Sequence, residues 1–172
     1  MSLFTLIRST MNEYRILVVD DEEDLCEILK FNLENEGYEV DTANSAEDAL
    51  KMDISTYDLL LLDVMMGEIS GFKMASMLKK EKKTAKIPII FITAKDTEND
   101  TVTGFNIGAD DYISKPFSLR EVAARVKAVL RRTRQTETER APEQIAYKSL
   151  VLDIIKKKVS IDGEEAPLTK KE

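Results

Sequence analysis

The stretch Leu59-Leu60-Leu61-Leu62-Asp63 decides the fold, because four consecutive leucines end in a single carboxylate. An apolar run of this length is typical of a strand that is buried on both faces of a parallel sheet. In open α/β sheets, the ligand crevice lies just beyond the carboxyl ends of the strands. The stretch therefore predicts a central strand that delivers Asp63 to such a crevice.

Three further strand-like runs end in residues whose side chains can bind cations or phosphate. Because the carboxyl ends of parallel strands meet at one edge of a sheet, we expect these side chains to converge with Asp63. The runs and the residues that follow them are Arg15–Val19 before Asp20 and Asp21, Ile87–Ile92 before Thr93, and Asp111–Ser114 before Lys115.

Helical patterns alternate with these strands and with a further strand predicted at Glu39–Ala43. Such alternation requires right-handed crossovers and a parallel sheet. We therefore predict an α/β fold with a five-stranded parallel sheet of the flavodoxin-like (βα)5 class, and adopt its strand order 2-1-3-4-5 by analogy. The predicted helices cover Glu22–Glu36, Ser45–Met52, a segment ending near Lys82, Glu98–Ile107, and a segment that opens at Ser118.

The polar segment 131–142 has no periodicity and ends in a proline, which is typical of a linker. Beyond it, strands are predicted at Leu150–Asp153 and Lys158–Ile161, and Asp162-Gly163 predicts a hairpin turn before a strand at Ala166–Leu168. Thr169–Glu172 has the pattern of a helix capping box. We predict a main domain at 13–134, a linker at 135–144, and a β-rich fragment at 145–172 that is truncated as its first helix begins.

Composition and charge exclude several function classes. The net charge is −7, and residues 143–172 carry six basic and six acidic side chains, so the whole negative excess lies in residues 1–142. This argues against DNA binding by the main domain itself. The chain has no histidine, which excludes a histidine phosphodonor, a Ser-His-Asp triad and a histidine-ligated zinc.

The sequence predicts a cytoplasmic protein without a membrane span. The single cysteine, Cys26, excludes an internal disulfide, and its place among Leu25, Ile28 and Leu29 predicts a small buried helix residue. The apolar cluster within residues 1–11 is too short to cross a bilayer and lacks the features of a signal peptide. We expect it to be an added leader or an upstream start ahead of Met11.

Three carboxylates, a hydroxyl and an ammonium are predicted to meet at the edge of the sheet. Each has an alternative role by itself: Asp20 or Asp21 as a helix cap, Asp63 as a turn residue, Thr93 as a helix-entry hydroxyl, and Lys115 as a solvated charge. Crowded carboxylates destabilise a fold unless a cation neutralises them. Because oxygen ligands suit Mg²⁺ or Mn²⁺, we predict a site for a divalent cation and a phosphoryl group.

Four motifs together resemble the receiver domain of bacterial two-component response regulators. The resemblance covers about Glu13–Arg134. The motifs are Val18-Val19-Asp20-Asp21-Glu22, Leu62-Asp63-Val64-Met65-Met66 with Gly71, Thr93-Ala94-Lys95, and Gly108-Ala109-Asp110-Asp111-Tyr112-Ile113-Ser114-Lys115-Pro116-Phe117.

The resemblance implies that Asp63 is the phosphoacceptor for a sensor histidine kinase. Mg²⁺ would be ligated by Asp21, Asp63 and the backbone carbonyl of Met65, and Asp20 would act through a water molecule. The protein would not be an enzyme in the ordinary sense, but would assist its own phosphoryl transfer and its own dephosphorylation.

The same resemblance implies a switch and a dimer. Thr93 and Tyr112 would be the switch pair, and Lys115 would contact the phosphate. An active homodimer would form through the helix predicted at Glu98–Ile107, the fifth strand and the last helix. Its charged residues would be Asp110, Asp111, Glu121, Arg125 and Lys127.

The tail resembles the start of the winged-helix effector of OmpR/PhoB-type transcription factors. The resemblance rests on Leu150–Asp153, Val159–Gly163 and Pro167–Glu172. It implies that only the full-length protein binds DNA, where the receiver dimer would bring two effector domains together to regulate transcription.

Two positions depart from the family pattern. The loop after the phosphoacceptor has Gly67 where proline is usual, which loosens the segment that carries the Met65 carbonyl. Thr101 stands where the family has an arginine that pairs with the acid matching Glu121 across the dimer. We therefore expect a weaker dimer.

Three alternatives belong to other classes. A haloacid-dehalogenase-like phosphohydrolase needs a second Asp two residues after the nucleophile, where this chain has Met65. A flavodoxin-like flavin binder needs a hydroxyl- and glycine-rich loop after the first strand, where this chain has carboxylates. A receiver-shaped scaffold that is never phosphorylated, and acts only by pairing, would show no Mg²⁺-dependent change at Asp63.

Overall fold

The structure is a computed structural model, and it describes residues 14–94, 102–103, 106–139, 144–147, 150–153, 158–161 and 164–166. The chain divides into two compact units between Thr133 and Arg134. The first unit contains a five-stranded sheet and the second a four-stranded sheet.

The first unit is built from strands that alternate with helices. All strand pairs in its sheet are parallel, and their order is β2-β1-β3-β4-β5. The predicted five-stranded parallel α/β fold and its strand order are therefore confirmed. The elements are β1 (Arg15–Val19), α1 (Glu23–Asn35), β2 (Glu39–Ala43), α2 (Ala46–Ala49), a 3₁₀ turn (Ile54–Thr56), β3 (Leu59–Asp63), α3 (Gly71–Lys80), β4 (Ile89–Thr93), β5 (Asp111–Ser114) and α4 (Leu119–Glu139).

The central strand β3 is buried on both of its faces, as its unbroken leucine run predicted. Successive side chains of a strand point to opposite faces, so the leucines divide between two cores. Leu60 and Leu62 pack in one core with Phe91, whereas Leu59 and Leu61 pack in the other with residues of α1 and α4. These two cores fix the position of Asp63, the last residue of β3.

Serine side chains define the starts of three helices. Ser45 Oγ accepts a hydrogen bond from the N–H of Asp48, Ser70 Oγ from that of Lys73, and Ser118 Oγ from that of Glu121. Gly37 follows α1 with a φ of 97°, a left-handed conformation that favours glycine, and it confirms the predicted helix end. Helix α2 ends at Ala49, three residues before the predicted end at Met52.

Helix α4 continues through Arg131–Glu139, where the polar sequence predicted a linker. This stretch lacks the apolar stripe on which the prediction of helices depends. Of the helix predicted at Glu98–Ile107, residues 102–103 and 106–107 are helical, and the rest lies outside the described residues. Within the part of the chain that the structure describes, no helix is both long enough and apolar enough to cross a membrane.

The second unit is an antiparallel sheet of order β6-β7-β8-β9. Its strands are β6 (Gln144–Tyr147), β7 (Leu150–Asp153), β8 (Lys158–Ile161) and β9 (Glu164–Ala166). Strands β7 and β8 confirm the sequence prediction, whereas β6 was not predicted. The strand predicted at Ala166–Leu168 begins earlier, at Glu164, because Ile161 pairs with Glu164 and β9 starts directly after the two residues between them. Pro167 and Leu168 lie outside the described residues. The capping box at Thr169–Glu172 lies outside the described residues.

A candidate metal and phosphoryl site

The carboxyl ends of four parallel strands bring the predicted site residues to one edge of the sheet. Asp20 follows β1, Asp63 ends β3, Thr93 ends β4 and Lys115 follows β5. The strand register aligns these ends, since Asp63 pairs with Ile92 and the N–H of Lys115 donates to the carbonyl of Thr93 at 2.7 Å. The convergence expected from the sequence is therefore present.

Three carboxylates form an acidic cluster at this edge. Asp20 and Asp63 are 2% and 3% exposed, whereas Asp21 is exposed at the rim. One carboxylate oxygen from each lies within 4.8 Å of the other two. Such a set of oxygen donors, buried on one side and open on the other, fits a hard divalent cation that keeps part of its water shell. The donor set could therefore hold a metal ion of the predicted kind.

The ammonium of Lys115 lies among the acidic side chains. Its Nζ donates to Asp20 Oδ2 at 3.1 Å and to Glu22 Oε1 at 3.2 Å, and it lies 3.8 Å from Asp63 Oδ1. The peptide bond between Lys115 and Pro116 is cis. Among the described residues, Lys115 thus supplies positive charge that partly offsets these acids, and its Nζ is close enough to Asp63 to contact a group attached there.

Burial dominates the electrostatics of the cluster. Burial and the nearby Asp20 carboxylate raise the pKa of Asp63 to about 6, and burial raises the pKa of Asp20 above its ordinary value. Burial lowers the pKa of Lys115, but the hydrogen bond and charge of Asp20 outweigh it, so that the Lys115 pKa lies above its ordinary value. Two buried carboxylates side by side are energetically costly, and a bound cation would reduce this cost.

Neither Asp20 nor Asp21 occupies the N-cap position of α1, which was the alternative role predicted for them. Glu22 occupies the N-cap position of α1 and makes no side-chain cap hydrogen bond. Asp20 Oδ1 instead accepts from the N–H of Glu22 at 2.9 Å, which orients its other oxygen toward Lys115. Cys26 is buried as predicted, and its thiol donates to the carbonyl of Asp20 at 3.3 Å.

Thr93 and Tyr112 lie on neighbouring strands beside the cluster. Thr93 is fully buried at the end of β4, and Tyr112 is half-buried on β5. The Tyr112 ring makes an edge contact with Phe91, with centroids 6.3 Å apart and an interplanar angle of 62°. Phe91 in turn contacts Phe72 of α3 at 4.8 Å. Two aromatic contacts thus connect Tyr112 to α3, the helix that follows Asp63.

The loop between β3 and α3 begins at the candidate phosphoacceptor. The N–H of Met65 points to Asp63 Oδ1 at 3.4 Å, and the Met65 side chain is about half exposed. At the end of the loop, a Cβ on Gly71 would overlap the carbonyl oxygen of Asp63. Glycine is required there because the start of α3 packs directly on the backbone of Asp63.

Most of the charged residues predicted for a dimer face have hydrogen-bond partners within the chain. Arg125 Nη1 donates to both oxygens of Asp111 at 3.0 and 3.1 Å, and its Nε donates to Glu121 at 3.2 Å. Asp110 Oδ2 accepts from the N–H of Ile89 at 3.0 Å. Lys127 is exposed on α4, and Thr101 lies outside the described residues. The family resemblance implied that these residues serve a dimer, whereas the structure shows Asp111 and Arg125 paired with each other in one chain.

Sequence reasoning gave no role to Glu22, although this side chain is one of the two that hydrogen-bond Lys115. The available signal was the run of three acids, Asp20-Asp21-Glu22, directly after β1. The run could not show which acid would turn toward a lysine nearly a hundred residues later in the sequence.

A comparison with protein families matches residues 16–127 to the response regulator receiver domain. The chain belongs to this family. The receiver domain accounts for the first sheet and for the whole acidic edge described above. The predicted resemblance to two-component response regulators is therefore confirmed.

Curated relatives and solved structures agree with this assignment. SrrA of Staphylococcus aureus, a transcriptional regulatory protein, is 43% identical over 162 residues, which cover 91% of this chain and 66% of the relative. The chain thus spans about two thirds of the length of this relative. DrrB of Thermotoga maritima, an OmpR/PhoB homologue, is 27% identical with a TM-score of 0.64 over 91% of this chain and 67% of its own. A CheY-like receiver domain protein of Methanospirillum hungatei is 30% identical, with a TM-score of 0.66 over 72% of this chain and 98% of its own.

Proposed function

We propose that this response regulator is activated by phosphorylation of Asp63. The observation that carries the proposal is the position of the Asp63 carboxylate, which lies 3.8 Å from the Lys115 ammonium within a cluster of three acids. In the transfer, an Asp63 oxygen attacks the phosphorus of a phosphohistidine on a sensor kinase. The new P–O bond forms as the P–N bond breaks, and the imidazole nitrogen leaves with the electron pair and takes up a proton.

Mg²⁺ is the cofactor that this donor set fits, with Asp20, Asp21, Asp63 and the Met65 carbonyl as the residues that would hold it. When bound, the metal supplies positive charge that offsets the negative charge of the carboxylates and of an incoming phosphoryl group. Lys115 then has two roles: it neutralises Asp20 before transfer, and it holds a phosphate oxygen afterwards. The chain assists its own phosphorylation and dephosphorylation and has no other catalytic activity in this proposal.

Phosphorylation is read out through Thr93 and Tyr112. The Thr93 hydroxyl donates to a phosphate oxygen on Asp63, and Tyr112 turns inward beside it. This shifts a two-state equilibrium and changes the surface formed by β5, α4 and the helix predicted at Glu98–Ile107. Two copies then pair through that surface.

DNA binding belongs to the whole protein in this proposal. The strands β6–β9 would be the start of a winged-helix effector, and pairing of the receivers would place two effectors on repeated DNA sites. The similarity to a transcriptional regulatory protein supports this outcome. In this proposal, phosphoryl transfer from the kinase and binding to DNA both take place in the cytoplasm.

The test is to incubate the purified chain with Mg²⁺ and acetyl phosphate and to follow its intact mass beside an Asp63→Asn variant. A gain of one phosphoryl group in the parent alone supports Asp63 as the acceptor. A gain in both proteins identifies a different carboxylate. If neither protein gains mass with acetyl phosphate, phosphoramidate or a histidine kinase, the receiver acts as a pairing scaffold and the proposal is wrong.

A further inference from the structure

The loop at 64–70 carries the Met65 carbonyl, and its two ends are fixed by backbone hydrogen bonds. The N–H of Val64 donates to the carbonyl of Ile92 at 3.0 Å, and the N–H of Gly71 donates to the carbonyl of Val64 at 3.1 Å. Between these ends, Gly67 has nothing within 4 Å of the place where a Cβ would lie. The middle of the loop therefore gains no rigidity from packing around Gly67 or from a proline there.

One side chain from another element is bonded to this loop. Glu47 Oε1 accepts a hydrogen bond from the N–H of Ile69 at 3.2 Å, in a partly buried setting. The Ile69 side chain packs against the core on the same side, so this residue is held through both its backbone and its side chain.

The position of Glu47 is itself well defined. It lies in the first turn of α2, between Ala46 and Ala49, which are fully buried. The cap formed by Ser45 and Asp48 fixes the start of this short helix. The carboxylate of Glu47 is therefore presented by a short helix that is anchored by buried alanines, and it can restrain the loop that joins β3 to α3.

We propose that Glu47 is a positioning residue that holds the loop in the conformation that offers the Met65 carbonyl to the metal. This inference rests on the proposed function, because it concerns the same metal site. Glu47 acts through the Ile69 N–H and does not touch the metal or the phosphoryl group. Its contribution lies in the hydrogen bond and not in its negative charge.

The test measures Mg²⁺ binding to the full chain by isothermal titration calorimetry, together with hydrogen exchange of the Ile69 amide. Glu47→Ala should weaken Mg²⁺ binding about ten-fold, the lower end of the range found for residues that orient metal ligands. It should also speed exchange at Ile69. Glu47→Gln keeps an acceptor oxygen and should bind within about two-fold of the parent. Glu68→Ala removes an exposed acid from the same loop and should have no effect.

Each outcome is decisive. The inference is overturned if Glu47→Ala binds Mg²⁺ as tightly as the parent, or if Glu47→Gln is as weak as Glu47→Ala, since the second result would assign the effect to charge. Circular dichroism of each variant separates a loss of fold from a loss of metal binding. If the parent itself binds no Mg²⁺, the proposed metal site fails first, and the role of Glu47 toward it fails with it.

Discussion

The Lys115 ammonium lies 3.1 Å from Oδ2 of Asp20, a carboxylate that is almost fully buried. The Lys115 side chain itself is 18% exposed, so the pair is shielded from water. Charges in such a place interact more strongly than surface ion pairs do, and a partner left alone is costly. This pair is therefore a structural element of the receiver as well as part of its candidate site.

Removing the ammonium should destabilise the metal-free protein. We expect Lys115→Ala to lower the free energy of unfolding by about 2–4 kcal/mol, because Asp20 and Asp63 lose their counter-charge. The measurement is urea unfolding followed by circular dichroism at pH 7.5 in EDTA. Lys127→Ala, at an exposed position on α4, is the control and should change stability by less than about 0.5 kcal/mol. Equal losses in both variants would contradict the prediction.

The pKa of Asp63 predicts how stability depends on pH. The folded-state pKa is about 6, against an ordinary value of 3.8, so the folded state binds more protons between these values. In EDTA, the contribution of Asp63 to stability is therefore present below about pH 4 and is lost as the pH rises through about 6.

The corresponding substitution is Asp63→Asn, which removes this titration. At pH 7.5 in EDTA, Asp63→Asn should be more stable than the parent by about 1–3 kcal/mol. The difference should shrink toward pH 4 in thermal or urea unfolding. The prediction fails if Asp63→Asn is less stable than the parent at pH 7.5, or if the stability difference grows on acidification. Either result would show that burying the Asp63 charge does not destabilise the fold.

The close approach of Gly71 to Asp63 predicts a steric effect. A Cβ at this position would overlap the Asp63 carbonyl, so Gly71→Ala should push the start of α3 away and cost about 2–4 kcal/mol of stability. Gly67→Ala is a matched control, because a Cβ there meets nothing within 4 Å. Thermal unfolding of both variants checks this, and a Gly71→Ala protein as stable as Gly67→Ala would refute the packing argument.

The contact between Asp111 and Arg125 should be measurable as a coupling energy. Both side chains are partly exposed, so a double-mutant cycle with Asp111→Asn and Arg125→Gln should give about 0.5–1.5 kcal/mol. Unfolding should be measured in low salt and again in 0.5 M NaCl, where the coupling should decrease. A coupling energy of zero would mean that separating Asp111 from Arg125, so that either could pair with a second chain, costs no stability.

Dimer strength is predicted to depend on position 101. Thr101→Arg should tighten the dimer of the phosphorylated form, because the arginine supplies a partner for Glu121 of a second copy. Analytical ultracentrifugation of the phosphorylated parent and variant measures the dimer constant. An unchanged constant would exclude this contact.

Continuous apolar runs predicted the positions of strands most accurately. Leu59–Asp63 and Arg15–Val19 were located within a residue, because a strand buried on both faces leaves an unbroken apolar signal. Arg131–Glu139 was missed as helix, because a polar stretch without an apolar stripe carries no such signal. The strand predicted at Ala166–Leu168 begins two residues earlier, at Glu164, because its start depends on register against β8, which is a relation between segments.

The site was predictable as a set of strand ends but not as a network of contacts. Parallel topology alone brings Asp20, Asp63, Thr93 and Lys115 together, so their residue types sufficed. The bond from Lys115 to Glu22 depends on side-chain reach across the crevice, and the one from Glu47 to Ile69 depends on how α2 sits beside a loop. Neither hydrogen bond can be predicted from the spacing of apolar residues, because that spacing describes one helix or strand at a time and each bond joins two different segments.

The order of the strands has a consequence for synthesis of the chain. Lys115 is 95 residues after Asp20, and it follows an edge strand that pairs only with β4. A ribosome therefore releases β1 and β3, with the carboxylates at their ends, before the ammonium that pairs with Asp20 exists. The ion pair at the crevice can form only after β5, the last strand of this sheet, has been made. An intact pair between Lys115 and Asp20 thus reports that every strand of the sheet has been synthesised.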